Sequence, residues 1–425
     1  MKTKTGIPSS LKYGLVFFVL SQVLLELFLP LSLVYNYRID YNIIKDNLTD
    51  INRVLDRLKL YIQRNGIEDY IIIIGDSVAY SGPGGPLQSV SYYMNQISRE
   101  KSLPPVFNLA IPAAQMGDFY TLLLMLDQKG ISTDKVIINL LYAGFVKRDP
   151  DPPVVYWLER ELKRLDPVSY AQVADALLAS NENKNRPDPF ETFLEVYVYN
   201  WIPVLRYRDF LRAGLFKAFG AYNEVTGDIR PWYEKPYLKS LLQDPVYKRQ
   251  FDPAPFALDD SNPNVFFLKR IAEHQRGKSL LLFMSPINRE LMAEEVSKPG
   301  FLQNFVSLND FLKDLASEYS FVYRDLSNVV PAHLFSDHLH LVSEGYRYFA
   351  GILWKEILNS GILHSSKAAC RITARYGVDP KLWILDSSKA TCPVDPAVLR
   401  FDLFRRSWGM NLRTVSDLRD GQEVA

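Results

Sequence analysis

Cysteine is almost absent from this chain of 425 residues, which contains only Cys370 and Cys392. With two cysteines the chain cannot be a disulfide-rich scaffold, and their spacing matches no metal-binding motif. In a domain outside the cytoplasm the pair could close one disulfide, and otherwise they remain two unpaired thiols. The sequence leaves both alternatives open, because it does not show how far apart the two residues lie.

An excess of charge of either sign is lacking as well. The 49 basic and 48 acidic residues leave a formal net charge of +1, so the charge balance does not favour a nucleic-acid partner. Apolar residues make up 48% of the chain and charged residues 23%, values typical of a globular protein. Because 425 residues exceed one typical domain, we expect a main domain that carries an insertion or appendages.

One long apolar run lies near the N-terminus, at residues 14–35. It has about the length that a helix needs to cross a bilayer, although Glu26 and Pro30 interrupt it. No small-residue cleavage site follows, so we predict a retained, single-pass signal anchor and not a cleaved signal peptide. Three basic residues before the run predict a cytoplasmic N-terminus and an extracytoplasmic domain: Lys2, Lys4 and Lys12. A buried amphipathic helix is the alternative.

Beyond this run the hydrophobic pattern follows the periods of helices and strands. Residues 42–64 carry apolar side chains at helical spacing, which predicts a helix packed on the domain or on a partner helix. Strands are then predicted at 69–75, 106–110, 135–141, 279–284 and 321–325, and helices at 87–100, 115–129, 264–276, 302–318 and 342–360. This alternation predicts an α/β fold, a flavodoxin-like parallel sheet of five strands with helices on both faces.

A long, mainly helical insertion at residues 149–262 separates the third strand from the fourth. It is predicted to be either a lid or substrate wall at the edge where the strands end, or a structural cap without substrate contacts. The predicted organisation is an N-terminal tip and transmembrane anchor at 1–36, a juxtamembrane helix at 37–66, a core in two parts at 67–148 and 263–362, and an irregular appendage at 363–425.

The strongest functional signal is the end of the first predicted strand. Four isoleucines at 71–74 predict a strand buried on both faces, and they are followed directly by Gly75-Asp76-Ser77. An open α/β sheet places its ligand site outside the carboxyl ends of its strands. A serine in that turn can expose its hydroxyl while neighbouring N–H groups point the same way, so we predict that Ser77 is a nucleophile. Asp76 is expected to cap the turn or order the loop.

A second motif lies between the last predicted strand and the last predicted helix. It consists of Asp337, His338, Leu339 and His340. In a doubly wound sheet this loop lies on the same rim as Ser77. A serine hydroxyl is a weak nucleophile by itself, and His340 is predicted to remove its proton while Asp337 orients the imidazole.

An alternative use of this loop is a metal site. His333, His338 and His340 together with Asp337 offer imidazole and carboxylate groups that suit zinc. We predict no metal and no cofactor, because the base role explains His340 better and no cysteine lies nearby in the sequence. His338 is then expected to be a polar loop residue.

The two motifs resemble the first and last blocks of the SGNH/GDSL hydrolase superfamily. The resemblance rests on Gly75-Asp76-Ser77 after an apolar strand and on Asp337-x-x-His340 followed by Gly345-Tyr346. It covers the core, about residues 68–145 and 262–360. It implies a Ser77–His340–Asp337 triad that forms an acyl-enzyme.

The resemblance also implies an oxyanion hole, and here the chain departs from the family. Ala113 stands at the end of Asn108–Ala113, where the second block usually has glycine, and its N–H survives the change. The third block normally supplies an asparagine, but this chain reads Leu141-Tyr142-Ala143-Gly144. The expected donors are therefore the N–H groups of Ser77 and Ala113, with Gly144 or a residue of the insertion as a third. Loss of one such donor typically lowers turnover by about 10²–10³-fold.

The layout, with its anchor and with residues 285–289 after the fourth strand, is similar to membrane-anchored proteins of bacterial envelopes. Among these are the D-alanyl transfer protein of teichoic acid synthesis and the alginate O-acetylation proteins. The similarity implies an esterase or O-acyltransferase acting on acyl esters of envelope glycans or lipids, partnered by the membrane and an envelope assembly. The alternative is a catalytically weak SGNH-like binding or scaffold protein of a polysaccharide modification assembly, favoured by the missing asparagine.

Overall fold

A computed structural model describes residues 9–146, 151–180, 193–194 and 197–364 of the chain. Its centre is a sheet of five parallel strands in the order β2-β1-β3-β4-β5. The strands are β1 (Ile71–Ile74), β2 (Val106–Asn108), β3 (Lys135–Leu140), β4 (Ser279–Met284) and β5 (Val322–Asp325). The predicted α/β fold with a five-stranded parallel sheet is confirmed.

Helices connect and cover these strands. The longer ones are α1 (Ser9–Phe28), α2 (Asp50–Arg64), α3 (Val90–Lys101), α4 (Met116–Lys129), α5 (Glu159–Leu165), α6 (Pro167–Ala179), α7 (Arg208–Ala218), α8 (Pro263–His274), α9 (Pro299–Tyr319) and α10 (Ser343–Asn359). Single helical turns lie at Leu31–Val34, Tyr41–Ile44, Ser77–Tyr80, Pro203–Arg206, Leu238–Leu241, Pro245–Lys248 and Ala293–Val296.

The isoleucines of β1 show why this strand is apolar without alternation. Ile72 and Ile74 belong to one apolar cluster, which includes residues of α4, α8 and α9. Ile71 and Ile73 belong to a second cluster, which includes residues of α3 and α10. All four side chains are buried, since helices cover the strand on both faces.

The apolar N-terminal run is divided where proline interrupts it. The run was predicted at 14–35, but α1 ends at Phe28 and residues 31–34 form a separate turn in which Val34 is buried. Proline lacks an N–H and disfavours helical geometry in the residue before it, so the helix stops before Pro30. Among the described residues, one helix is long enough and apolar enough to span a membrane, judged by length and composition alone. That helix is α1.

The predicted juxtamembrane helix at 42–64 becomes the turn Tyr41–Ile44 and the helix α2. Its apolar side chains Ile51, Val54, Leu55 and Leu58 are fully buried in the first apolar cluster. Of the two packing partners predicted for this helix, the protein's own domain is the one that buries its apolar face.

Several predicted regions lie wholly or partly outside the described residues. Residues 365–425, with Cys370, Cys392 and nearly all of the predicted appendage, are among them, as are 1–8, 147–150, 181–192 and 195–196. The predictions for these residues stay predictions.

Candidate active site

Ser77 begins a short helical turn directly after β1. Asp76 caps this turn, because its Oδ1 accepts a hydrogen bond from the Val78 N–H at 2.8 Å. The capping role expected for Asp76 is confirmed. A side-chain oxygen at this position pairs an N–H that a helix leaves unpaired, and so it fixes the direction in which the turn leaves the strand.

Asn139 of β3 fixes Asp76 from the neighbouring strand. Its Oδ1 accepts from the Asp76 N–H at 3.1 Å, and its Nδ2 donates to Asp76 Oδ1 at 2.9 Å and to Ser285 Oγ at 3.1 Å. The side chain is fully buried, so these bonds are shielded from water. Sequence reasoning missed Asn139, because a single polar residue inside an apolar strand carries no motif.

The predicted triad residues lie in hydrogen-bond contact. His340 Nε2 is 2.9 Å from Ser77 Oγ, and His340 Nδ1 is 2.8 Å from Asp337 Oδ2. Asp337 Oδ1 also accepts the N–H groups of Leu339 and His340, at 2.8 and 2.7 Å. This is the geometry of a nucleophile, a base and a group that orients the base.

Burial and the neighbouring charge shift the pKa in opposite directions, both for Asp337 and for His340. Burial alone would raise the pKa of Asp337, but the His340 imidazole and its hydrogen bonds outweigh that effect and hold the pKa well below its usual range. Burial alone would lower the pKa of His340, yet the Asp337 carboxylate raises it above the ordinary 6.5. Asp337 is therefore ionised over the range in which His340 exchanges its proton, and its charge favours the protonated imidazole.

Two elements hold the loop that carries Asp337 and His340. Asn288, after β4, donates its N–H to the His338 carbonyl at 3.0 Å and its Nδ2 to the Asp337 carbonyl at 3.2 Å. Lys235 of the insertion is buried, and its Nζ donates to the Ser336 carbonyl and Oγ at 2.8 and 2.7 Å. The base is thus positioned by both the core and the insertion.

The segment after α1 supports the other side of the site. Arg38 is buried, and its guanidinium donates to the carbonyls of Tyr80, Ser81 and Gly84 at 2.6–3.0 Å and lies over the Tyr80 ring. These carbonyls belong to the loop that follows Ser77. Sequence reasoning missed this role, because a single arginine after an apolar run carries no motif.

The three expected oxyanion donors differ in their present bonding. The N–H groups of Ser77 and Ala113 donate to no acceptor among the described residues, whereas the Gly144 N–H donates to the Leu141 carbonyl at 2.9 Å. Ala113 has φ of +63°, the left-handed region that favours glycine. The backbone thus keeps the geometry of a glycine position although the residue is alanine. Of the three expected donors, the N–H groups of Ser77 and Ala113 are the two without an acceptor among the described residues.

A cavity of about 590 Å³ opens beside the triad, within the range of small-molecule sites. Ser77, His340, Ala113 and Gly144 line it. The insertion supplies part of its wall: Asp151, Pro152, Tyr156, Tyr247, Arg249 and Gln250. Of the two alternatives for the insertion, the wall is the one with this geometric support.

His338 lies in a loop, as expected, but it also makes specific contacts. It is buried, its Nε2 lies 3.0 Å from Gln250 Oε1, and the rings of Tyr247 and Phe251 pack on it edge to face. Within the described ranges no group of three or more His, Cys, Asp or Glu side chains is arranged to hold a metal ion. His338 instead joins the loop of Asp337 and His340 to the insertion.

Gly75 is a position in the site where an added methyl group is expected to be disruptive. A Cβ there would overlap Asn139 Oδ1 and crowd the Ala79 methyl group, both in a packed interior. We expect Gly75→Ala to lower the free energy of unfolding by about 1–3 kcal/mol, measured by urea denaturation in detergent. Gly351→Ala is the matched control, since its Cβ meets nothing within 4 Å and alanine in a helix is favoured by up to about 1 kcal/mol. Equal stability of the two variants would contradict the close packing at Gly75.

Comparison with known proteins adds no identification. No protein-family model matches the chain, and no curated protein matches it. Function must therefore be inferred from the site itself. The arrangement of its side chains suits one chemical step. In that step a hydroxyl loses its proton to an imidazole while it attacks an electrophilic carbon in the adjoining cavity.

Proposed function

We propose that this protein is an SGNH-type serine esterase or O-acyltransferase, anchored in a membrane by α1, with its catalytic domain outside the cytoplasm. The observation that carries the proposal is the hydrogen-bonded chain Ser77–His340–Asp337 beside a cavity of about 590 Å³. The strand order 2-1-3-4-5, which is the flavodoxin-like order, also supports it. The substrate class that we propose is an acyl ester of an envelope glycan or lipid.

The reaction follows from the positions of the three side chains. Ser77 Oγ bonds to the ester carbonyl carbon and gives its proton to His340 Nε2. The N–H groups of Ser77 and Ala113 act as donors to the resulting oxyanion. The alkoxide then leaves with the proton from His340, and an acyl-enzyme remains.

The second half-reaction depends on the acceptor. Water or a sugar hydroxyl gives its proton to His340 and attacks the acyl carbon. The bond between the acyl carbon and Ser77 Oγ then breaks as His340 returns the proton to Ser77 Oγ. With water the protein is an esterase; with a sugar hydroxyl it is an O-acyltransferase.

Fluorophosphonate labelling tests the proposal, because such a probe reacts with an activated serine. We expect the full-length chain in detergent to be labelled, and Ser77→Ala to lose the label completely. Ser297→Ala, at an exposed serine outside the cavity, should label like the wild type. A wild type that resists the probe and hydrolyses no short-chain aryl ester would contradict the enzyme proposal.

A second candidate function is a binding or scaffold protein of an envelope polysaccharide modification assembly. One observation favours it: the Gly144 N–H, a group that could replace the missing third-block asparagine, is already used by the Leu141 carbonyl. Labelling of Ser77 together with slow ester hydrolysis that accelerates when a polysaccharide is added would instead favour the transferase.

The pH dependence of labelling reports on His340. Only the neutral imidazole accepts the Ser77 proton, and the Asp337 carboxylate raises the His340 pKa above 6.5 against the effect of burial. We therefore expect the labelling rate to increase with pH through a midpoint above 6.5, and to be low in acid, where His340 is protonated. A rate that does not change from mildly acidic to mildly alkaline buffer would exclude His340 as the base.

A further inference from the structure

The last two turns of α1 lie against a segment of the insertion, residues 197–206. The N–H of Val204 donates to Gln22 Oε1 at 2.9 Å. Arg206 Nη1 lies 3.2 Å from Glu26 Oε2, and Arg57 Nη2 of α2 lies 3.5 Å from Glu26 Oε1. The acidic residue in the apolar run is thus paired from two sides by the folded domain.

These contacts set the depth of the segment relative to a membrane. Gln22 precedes the end of α1 at Phe28 by six residues, about 9 Å along a helix. A helix of 20 residues is about 30 Å long, the thickness of the hydrocarbon core. If α1 spans the bilayer, the part of the insertion beside Gln22 and Glu26 lies at the border between hydrocarbon and headgroups.

The side chains of the segment suit that border. Trp201 is 79% exposed, Tyr197 65% and Val204 37%, although all three are apolar or aromatic. Tryptophan and tyrosine are enriched where membrane meets water, because their rings are amphipathic. Exposure of this kind is unfavourable in water and favourable at an interface.

The backbone of the segment suits it as well. Every N–H from Trp201 to Arg206 has an acceptor. Trp201 donates to the Val198 carbonyl, Ile202 to the Tyr199 carbonyl and Val204 to Gln22 Oε1. Leu205 and Arg206 both donate to the Ile202 carbonyl. Pro203 has no N–H to pair. Unpaired backbone groups are costly next to hydrocarbon, where water is scarce, and residues 201–206 leave no N–H unpaired. The Arg206 Nε donates to the Asn200 carbonyl at 3.0 Å, so the guanidinium is also engaged on the protein side.

We propose that residues 197–206 insert into the interfacial layer of the lipid bilayer beside α1, with Trp201 and Val204 in contact with lipid. The inference rests on the proposed membrane anchoring. The domain would then be held at two points, and Arg38, ten residues after Phe28, would hold the loop after Ser77 near the same surface. Ten residues reach at most about 35 Å, so Arg38 would lie no further than that from the end of α1.

Spin labels on the full-length chain in phospholipid vesicles test this docking. The background is Cys370→Ser with Cys392→Ser, checked by unchanged fluorophosphonate labelling. Single labels are then placed by Val204→Cys in the segment, Leu20→Cys in α1 and Val306→Cys in α9. Val306 is the matched control, a valine 59% exposed on the catalytic domain. Collision with oxygen, which concentrates in lipid, is compared with collision with a water-soluble nickel complex.

We expect the oxygen-to-nickel ratio at Val204→Cys to exceed the ratio at Val306→Cys several-fold and to lie below that at Leu20→Cys, which is near the middle of α1. A lipid-like ratio at Leu20→Cys with a water-like ratio at Val204→Cys would overturn the docking and leave the anchor standing. A water-like ratio at both would overturn the docking and the anchor, while fluorophosphonate labelling would still report on catalysis independently. Protection of Val204→Cys from both reagents would indicate a protein contact and would also overturn the lipid contact.

Discussion

Replacement of His340 by alanine is expected to lower kcat for ester cleavage by about 10⁶-fold, the loss measured when the histidine of a serine protease triad is removed. His340 Nε2 is 2.9 Å from Ser77 Oγ, and among the described residues no other basic side chain contacts that hydroxyl. Without the imidazole the hydroxyl keeps its proton and attacks poorly. Burst kinetics with an activated aryl ester would measure the effect on acyl-enzyme formation.

His333→Ala is the control for this experiment. His333 lies in the same loop region but is exposed, so its removal should leave kcat unchanged. Urea denaturation of both variants separates loss of chemistry from loss of fold. A His340→Ala variant that keeps its fold and most of its activity would exclude the triad, and with it the proposed mechanism.

Replacement of Asp337 by asparagine is expected to lower kcat by about 10⁴-fold, the loss that follows the same exchange in a serine protease triad. Asp337 Oδ1 accepts the N–H groups of Leu339 and His340, and an amide oxygen can keep both bonds. The amide NH₂ would then face His340 Nδ1, which in the wild type lies 2.8 Å from Asp337 Oδ2. The imidazole would have to carry its proton on Nε2, the atom that must accept the Ser77 proton.

The exchange separates a tautomer effect from a folding effect. Because both backbone bonds survive, we expect KM and the urea midpoint to change little while kcat falls. Asp310→Asn, at an exposed carboxylate paired with Lys313, is the control and should be silent. A large fall in stability with an unchanged kcat would mean that Asp337 holds the loop and does not orient the base.

The fold follows the hydrophobic pattern closely where the pattern is strong. The predicted strand 279–284 has the bounds of β4, and the predicted helix 115–129 differs from α4 by one residue. Strand ends are less well predicted: 69–75 shortens to Ile71–Ile74. Apolar periodicity reports burial, whereas the end of a strand depends on where its neighbour stops donating hydrogen bonds.

In the candidate site, too, the sequence shows the local patterns, and the fold decides how closely distant residues approach. Ser77, Asp337 and His340 could be selected from sequence, because each stands in a short motif at a predicted strand end or loop. The sheet then determined that residues 263 positions apart meet at 2.9 Å. Their catalytic role stays a prediction until the variants are measured.

The sequence alone was enough to recognise three segments, since each is a local pattern. They are the apolar run at 71–74, the turn Gly75-Asp76-Ser77 after it, and the loop of Asp337 and His340. Only the tertiary structure decided that Asn139 bonds to Asp76 and that Lys235 bonds to the loop that carries Asp337 and His340. It also decided that Arg38 donates to three carbonyls after Ser77. These are buried polar residues whose partners come from other elements. A buried polar group is stable only with a hydrogen-bond partner, and the fold determines which group that partner is. The spacing of residues in the sequence does not show which distant groups will be close together.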